Sequence, residues 1–317
     1  MADQAAAQAG PPSGAGLTAA PPDLSPKSRP GEQLIKLSLV LSAVTSVAIT
    51  FGIILAVIEP AVLFFREIPF SQFFATEDIG SKEIRPAVIP LIVGTFLTTA
   101  IALALAVPLG LGAAMYLSEY ASPRARKWLK PTVELLAGIP SVVYGFFAVF
   151  FVTPVVLKGW FGLDVNFTNS LSAGLVLGVM IIPTVASLSE DALSAVPQAL
   201  RQGSLAMGAN RMQTTLRVVL PAALSGVAAA IVLGLSRAVG ETMIVTMAGG
   251  AVKNMSMDVG DPHMTMTAFI AITASGENPV GSVSYNMLFA VGLLLFIITF
   301  IMNAFSIYFV RRFRQVY

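Results

Sequence analysis

Six long apolar intervals leave this chain almost no choice of fold. Charged residues fence five of them: Lys36 to Glu59, Arg85 to Glu119, Glu134 to Lys158, Asp164 to Glu190, and Glu277 to Arg311. The remaining one, Pro221 to Val252, carries charge only at Arg237 and Glu241. A helix needs about 20 mostly apolar residues to cross a bilayer. The expected architecture is therefore all-α: a polytopic membrane bundle of six transmembrane helices, over about 37–65, 88–117, 133–157, 171–188, 221–250 and 285–310. Composition agrees, with 11% charged residues and a mean hydropathy of +0.80, against about 25% charged in soluble domains. Cysteine is absent, which excludes disulfides, thiolate metal sites and a cysteine nucleophile.

The first 33 residues are rich in Ala, Pro, Gly and Ser and read as a disordered cytoplasmic tail. The apolar run that follows, to Phe65, exceeds the ~7–15 residues of a signal-peptide core and reads as an uncleaved anchor. With the amino terminus inside, the connections on that side hold Lys27, Arg29, Lys36, Arg124, Arg126, Lys127, Lys130, Arg201, Arg211, Arg217, Arg311, Arg312 and Arg314. The other side holds Arg66, Lys82, Arg85, Lys158 and Lys253. This bias puts both termini and the long connection 189–220 in the cytoplasm of a plasma-membrane protein.

Pro90, Pro108, Pro140, Pro154 and Pro183 fall inside the spans. Membrane helices tolerate such kinks, and broken helices also line transport pathways. Gly138-Ile139-Pro140-Ser141 is the best candidate for a functional break, since Gly and Pro free backbone groups beside a hydroxyl.

Arg237 and Glu241 are the costliest residues in the chain. A charge at membrane depth costs roughly 2.5–3.5 kcal/mol and usually faces a bundle interior or a water-filled path. Four residues apart on a continuous helix, they would share one face. Two roles are open: a structural ion pair that locks packing, or a pair lining a substrate path. A planar guanidinium holds two anion oxygens at once, so the second role points to an anionic substrate. Glu241 would then neutralise Arg237 at rest, and the anion would displace it.

Within 189–220, Leu200–Met207 suits a short amphipathic helix ended by Gly208, and Arg211–Val219 suits a second. Pro221 opens the next span, where a missing N–H costs nothing. The positions Gln202-Gly203-Ser204, Gly208, Val218, Leu220 and Pro221 resemble the cytoplasmic coupling loop of ABC importer permeases. The family's opening Glu-Ala-Ala is Gln-Gly-Ser here. Four further runs extend the likeness: Ile89-Pro90-Leu91-Ile92-Val93-Gly94-Thr95, Val107 to Tyr120, Leu136 to Phe146 with Ile139-Pro140-Ser141, and Ser236-Arg237-Ala238-Val239-Gly240-Glu241-Thr242-Met243. Together they resemble the PstC-type permease subunits of phosphate-specific ABC importers, from Leu34 to the end of the chain.

That resemblance implies a type I importer permease fold and ATP-driven movement of inorganic phosphate into the cytoplasm. Arg237, Glu241 and Ser141 would line the path, and Gln202, Gly203, Ser204, Gly208, Leu220 and Pro221 would couple to an ATPase. The chain has no Gly-x-x-x-x-Gly-Lys-Ser/Thr run, so it is expected to be no enzyme and to hold no cofactor. ATP and Mg would sit on a separate PstB-type ATPase dimer. A PstA-type second permease, an external PstS-type phosphate-binding protein and the lipid bilayer complete the implied partners; no nucleic acid is among them. The rival from outside the family is an ion-coupled secondary transporter of an anion, for which the paired inverted repeats of many such folds are not evident. His263, with Asp258 and Asp261, makes a weak metal signal and reads better as part of a solvated loop.

Overall fold

The computed structural model describes residues 30–77 and 86–313. Most of the expected amino-terminal tail lies outside the described residues. Twelve helices follow in order among those described: α1 Pro30–Glu67, α2 Phe70–Phe73, α3 Ile89–Met115, α4 Pro123–Ala137, α5 Ser141–Phe147, α6 Ser170–Ser194, α7 Gln198–Ala206, α8 Arg211–Thr214, α9 Leu220–Ala222, α10 Leu224–Gly240, α11 Met266–Ser275 and α12 Val283–Phe313. Wider π-type turns extend α3 over Tyr116–Tyr120, α5 over Ala148–Trp160 and α8 over Thr215–Val219, and form a separate segment at Val245–Gly249.

Residues 1–52 and 53–317 form two units. The described part of the first is the opening of α1, which after Lys36 is mostly apolar on every face, as suits a helix solvated by lipid. In the second unit, α3 and α6 are the central pair. They pack closely because glycine stands where a side chain would collide. A Cβ on Gly174 would lie 2.7 Å from the Ile101 side chain, and one on Gly178 would lie 2.8 Å from the Ala102 carbonyl. Small residues at such crossings are how membrane helices gain packing without a water-driven force. Tyr144, Val149, Leu177, Ile181, Val185, Ala238 and Ile244 complete this core. A second cluster joins Phe64, Phe73, Leu91, Met266 and Met287. A third, of Ala114, Leu193, Val196, Val219 and Val227, seals the end that carries α7–α9.

Three expectations about the spans and the loop between them need correction. The third span does not start at 133. α4 is a separate amphipathic helix with no buried residue, and the apolar helix begins at Ser141. Gly138-Ile139-Pro140 is the break, because Pro140 takes an extended backbone as the N-cap of α5. The fifth span does not run unbroken from 221 to 250. α10 ends at Gly240, and before it Arg211–Ala222 and Leu224–Gly240 meet at 73°. Finally, the loop is shorter at its start than 189–220, because α6 continues to Ser194.

The remaining loop is ordered by local chemistry. Gly208, at φ +86°, takes the left-handed conformation that ends α7 and that other residues adopt only with strain. Asn210 then caps α8 reciprocally with Gln213: each side chain accepts from the other's backbone N–H, at 2.8 and 3.0 Å.

At the opposite end, residues 250–265 fold over α3 and α6. His263, expected in a solvated loop, is fully buried there. Its Nε2 donates to the Ser256 carbonyl at 2.7 Å, and its Nδ1 meets the Ser170 hydroxyl at 2.9 Å. It is a packed, hydrogen-bonded core residue. Gly94 makes room for this loop, since a Cβ there would lie 2.5 Å from the Met264 carbonyl.

Candidate functional site in the broken span

Arg237 and Glu241 do not share a helix face. The helix stops between them: Glu241 has φ −67° and ψ 133°, an extended geometry. Its Oε1 accepts from the backbone N–H of Met243 at 3.0 Å and of Ile244 at 3.3 Å. Glu241 is therefore a cap on the segment that leads into Val245–Gly249. Arg237 lies in the last turn of α10, where exposed carbonyls make the negative end of the helix dipole; Glu241 meets unsatisfied N–H groups. Each charge is stabilised by its own backbone terminus. Among the described residues, no ion pair joins the two.

Arg237 is exposed on the surface of the single chain, and Glu241 is half-buried. Among the described residues, the one hydrogen bond of the Arg237 side chain goes from Nη1 to Thr184 Oγ1 on α6, at 3.0 Å. Most of its five N–H donors are left uncommitted. A guanidinium facing lipid at this depth would be costly. This face of the chain therefore calls for water or a second protein surface, not hydrocarbon.

Ser141 opens α5 and is half-buried. Tyr144, one turn on, is buried and donates to the Leu136 carbonyl at 2.8 Å. α5 is held against the broken span at Gly145, where a Cβ would lie 2.9 Å from Met247 Sδ and 3.4 Å from the Met243 carbonyl. α5, which follows the Gly138–Pro140 break, is thus packed on the segment that follows the Gly240–Glu241 break.

Gln202, Gly203 and Ser204 lie on α7, Gly208 ends it, and Leu220 and Pro221 lie on α9. Ser204 and Thr214 share a hydroxyl hydrogen bond at 2.9 Å, which ties α7 to α8. Gln202 lines a polar cavity of about 310 Å³ with Ser118, Glu119, Arg126, Arg201 and Arg211.

The residues that fasten this loop carry no motif in the sequence. Arg201, nearly buried, bonds Glu119 Oε1 through Nη2 at 2.9 Å and the Leu193 carbonyl at 2.7 Å. It also reaches the Val196 carbonyl. One guanidinium thus closes the carboxyl end of α6 and pins α7 to the end of α3. Glu190, fully buried, pairs with Arg126 and with Lys130 at 2.6 Å, which fixes α4 to α6. Lys130 also reaches Asp191 at 3.0 Å. The Glu190 and Asp191 hydrogen bonds hold the Lys130 ammonium above its ordinary pKa, against the opposing effect of burial. These pairs span 60 to 82 positions in sequence, beyond any local pattern. The only local signal is that Glu119 and Glu190 stand at the ends of apolar runs.

Residues 106–315 match the model of the family described as "Binding-protein-dependent transport system inner membrane component". The chain belongs to that family. Among family relatives, the probable ABC transporter permease protein YqgH of Bacillus subtilis is 38% identical over 214 residues, 68% of each protein. The phosphate transport system permease protein PstC of Mesorhizobium japonicum is 34% identical, covering 70% of this chain and 72% of that one. PstC of Pasteurella multocida is 32% identical over 82% of this chain and 87% of its own length. The fold is that of solved importer permeases. A chain of a bacterial alginate ABC transporter in complex with an alginate-bound periplasmic protein aligns at TM-score 0.62 and 18% identity, over 90% of this chain and 98% of that one. A chain of the MetNI methionine transporter aligns at 0.53 and 22% identity, over 72% and 94%. This family member is thus a multi-pass inner-membrane transport component, and its helices are those of a type I importer permease.

Proposed function

We propose that this chain is the PstC-type subunit of an ATP-driven importer and carries inorganic phosphate inward past Arg237. The observation that carries the reading is an exposed guanidinium, with most donors uncommitted among the described residues, beside the helix break that ends α10 in an apolar bundle. Kinship with PstC proteins at 32–34% identity supports phosphate over other anions. Arg237 is the anion-facing group. Ser141, the first residue of α5 after the Pro140 break, is assigned to the same path. Glu241 serves it indirectly, by fixing the turn after the break.

ATP and its Mg belong to a separate cytoplasmic ATPase dimer that docks on Gln202, Gly203, Ser204 and Gly208, with Leu220 and Pro221 at the exit of the loop. A second permease subunit covers the face bearing Arg237, and an external binding protein delivers phosphate to the opposite end. Both termini then face the cytoplasm.

The test is uptake of labelled phosphate and sulfate into vesicles holding the complete importer. ATP-dependent accumulation of phosphate over sulfate is expected, insensitive to collapse of ion gradients. Arg237→Lys keeps the charge and loses the bidentate fork, and should raise the KM for phosphate. Uptake driven by an ion gradient without ATP would sink the reading.

A further inference from the structure

A hydroxyl beside Arg237 has an unusual hydrogen-bonding state. Threonines in helices commonly return their hydroxyl proton to a carbonyl one turn back. Thr95, Thr98, Thr215, Thr246 and Thr299 all do so here, at 2.6 to 2.9 Å. Thr184 follows Pro183 on α6 and makes no such bond among the described residues. Its Oγ1 instead accepts from Arg237 Nη1 at 3.0 Å, so its own proton is uncommitted.

Close packing enforces this meeting. Gly226 and Gly234 on α10 both face α6. A Cβ at Gly226 would lie 2.5 Å from Ala192 Cβ, and one at Gly234 would lie 3.0 and 3.1 Å from Val185 and Ile181. The two contacts fix the register of α10 on α6 and bring the turn after Gly234 level with Thr184. Thr184 is half-buried while Arg237 is exposed, so the hydroxyl stands at the edge of the space the guanidinium faces.

We propose that Thr184 is a second anion-contacting residue of this site. It fixes the guanidinium plane through Nη1 and donates its own O–H to the oxyanion that Arg237 receives. An oxyanion approaching here meets donors from two helices, both aimed at its oxygens. The inference rests on the reading that Arg237 meets the transported anion.

The test uses the complete importer in vesicles and compares Thr184→Val, Thr184→Ser and Arg237→Lys. Valine keeps the volume and removes the hydroxyl. A hydrogen bond to a charged group supports an expected rise of about tenfold in the KM for phosphate, with a smaller change in maximal rate and with ATPase activity retained. Serine should restore KM to within about twofold, since the same bond is available. A purely structural threonine would change the amount of assembled importer and leave KM alone. Parental KM in Thr184→Val, alongside a raised KM in Arg237→Lys, overturns the role of Thr184 only. Parental KM in Arg237→Lys overturns the site reading and the inference with it.

Discussion

Charge is handled in opposite ways at two places in this molecule. At the loop end, Glu119, Glu190, Arg126, Lys130 and Arg201 are stitched together across four helices. In the broken span, Arg237 and Glu241 are close in sequence but kept apart by a helix end. The stitched charges satisfy one another and have little capacity left for a ligand. Arg237 is supported by one hydroxyl and keeps most of its donors. Burial with full pairing suits a fastening; exposure without a counter-charge suits a binding group.

That contrast can be broken most sharply at Arg237. Arg237→Gln should lower phosphate uptake by about 100-fold or more, a charged hydrogen-bonding group being lost, while the thermal unfolding midpoint of the purified complex moves by no more than about 2 °C, since the change breaks one hydrogen bond, to Thr184, and strands no counter-charge. A large drop in stability would mean that Arg237 is a fastening as well. Glu190→Leu should behave the other way. It strands Arg126 and leaves Lys130 with Asp191 alone, and both cations are partly exposed, so the loss is held to about 2 kcal/mol, below that of a fully buried pair. Unfolding should come several degrees earlier, with uptake per folded importer unchanged. Abolished uptake at parental stability would erase the distinction.

Gly208→Ala gives a smaller effect at the same end. No atom obstructs a Cβ there, so the expected cost is about 1 kcal/mol, from the left-handed backbone alone. It can be read as a modest shift in chemical denaturation. The smallest effect is one of pH. The pKa of Lys130 lies above the ordinary 10.5, so its contribution is complete below pH 10.5 and is lost as pH rises through the folded-state value. Unfolding midpoints should show no slope from Lys130 at neutral pH, and Lys130→Met should flatten only the alkaline limb.

The bundle was legible because lipid imposes a simple rule on sequence, and the fenced apolar runs obey it. Gly208 was legible because only a left-handed turn explains a glycine at the end of an amphipathic helix. The end of α10 was hidden. No proline marks it, and the apolar run continues; Gly240 is one of many membrane glycines, and Glu241 declares itself a cap only once Met243 and Ile244 turn their N–H groups toward it. The pairs at Glu119 and Glu190 were hidden by distance along the chain. His263 looked solvated because Ser170, which its ring meets, lies 93 positions away on α6, and because the loop folds back to bring the Ser256 carbonyl to the ring.

The elbow before α10 also bears on how force could reach Arg237. With arms set at 73°, little of a push along Arg211–Ala222 projects onto the axis of α10; the larger share acts across it, as torque. Gly226 and Gly234 hold that helix against α6 much as bearings hold a shaft. An exposed side chain near the shaft's far end sweeps an arc when the shaft turns. The element leaving the loop has the geometry of a crank rather than a piston.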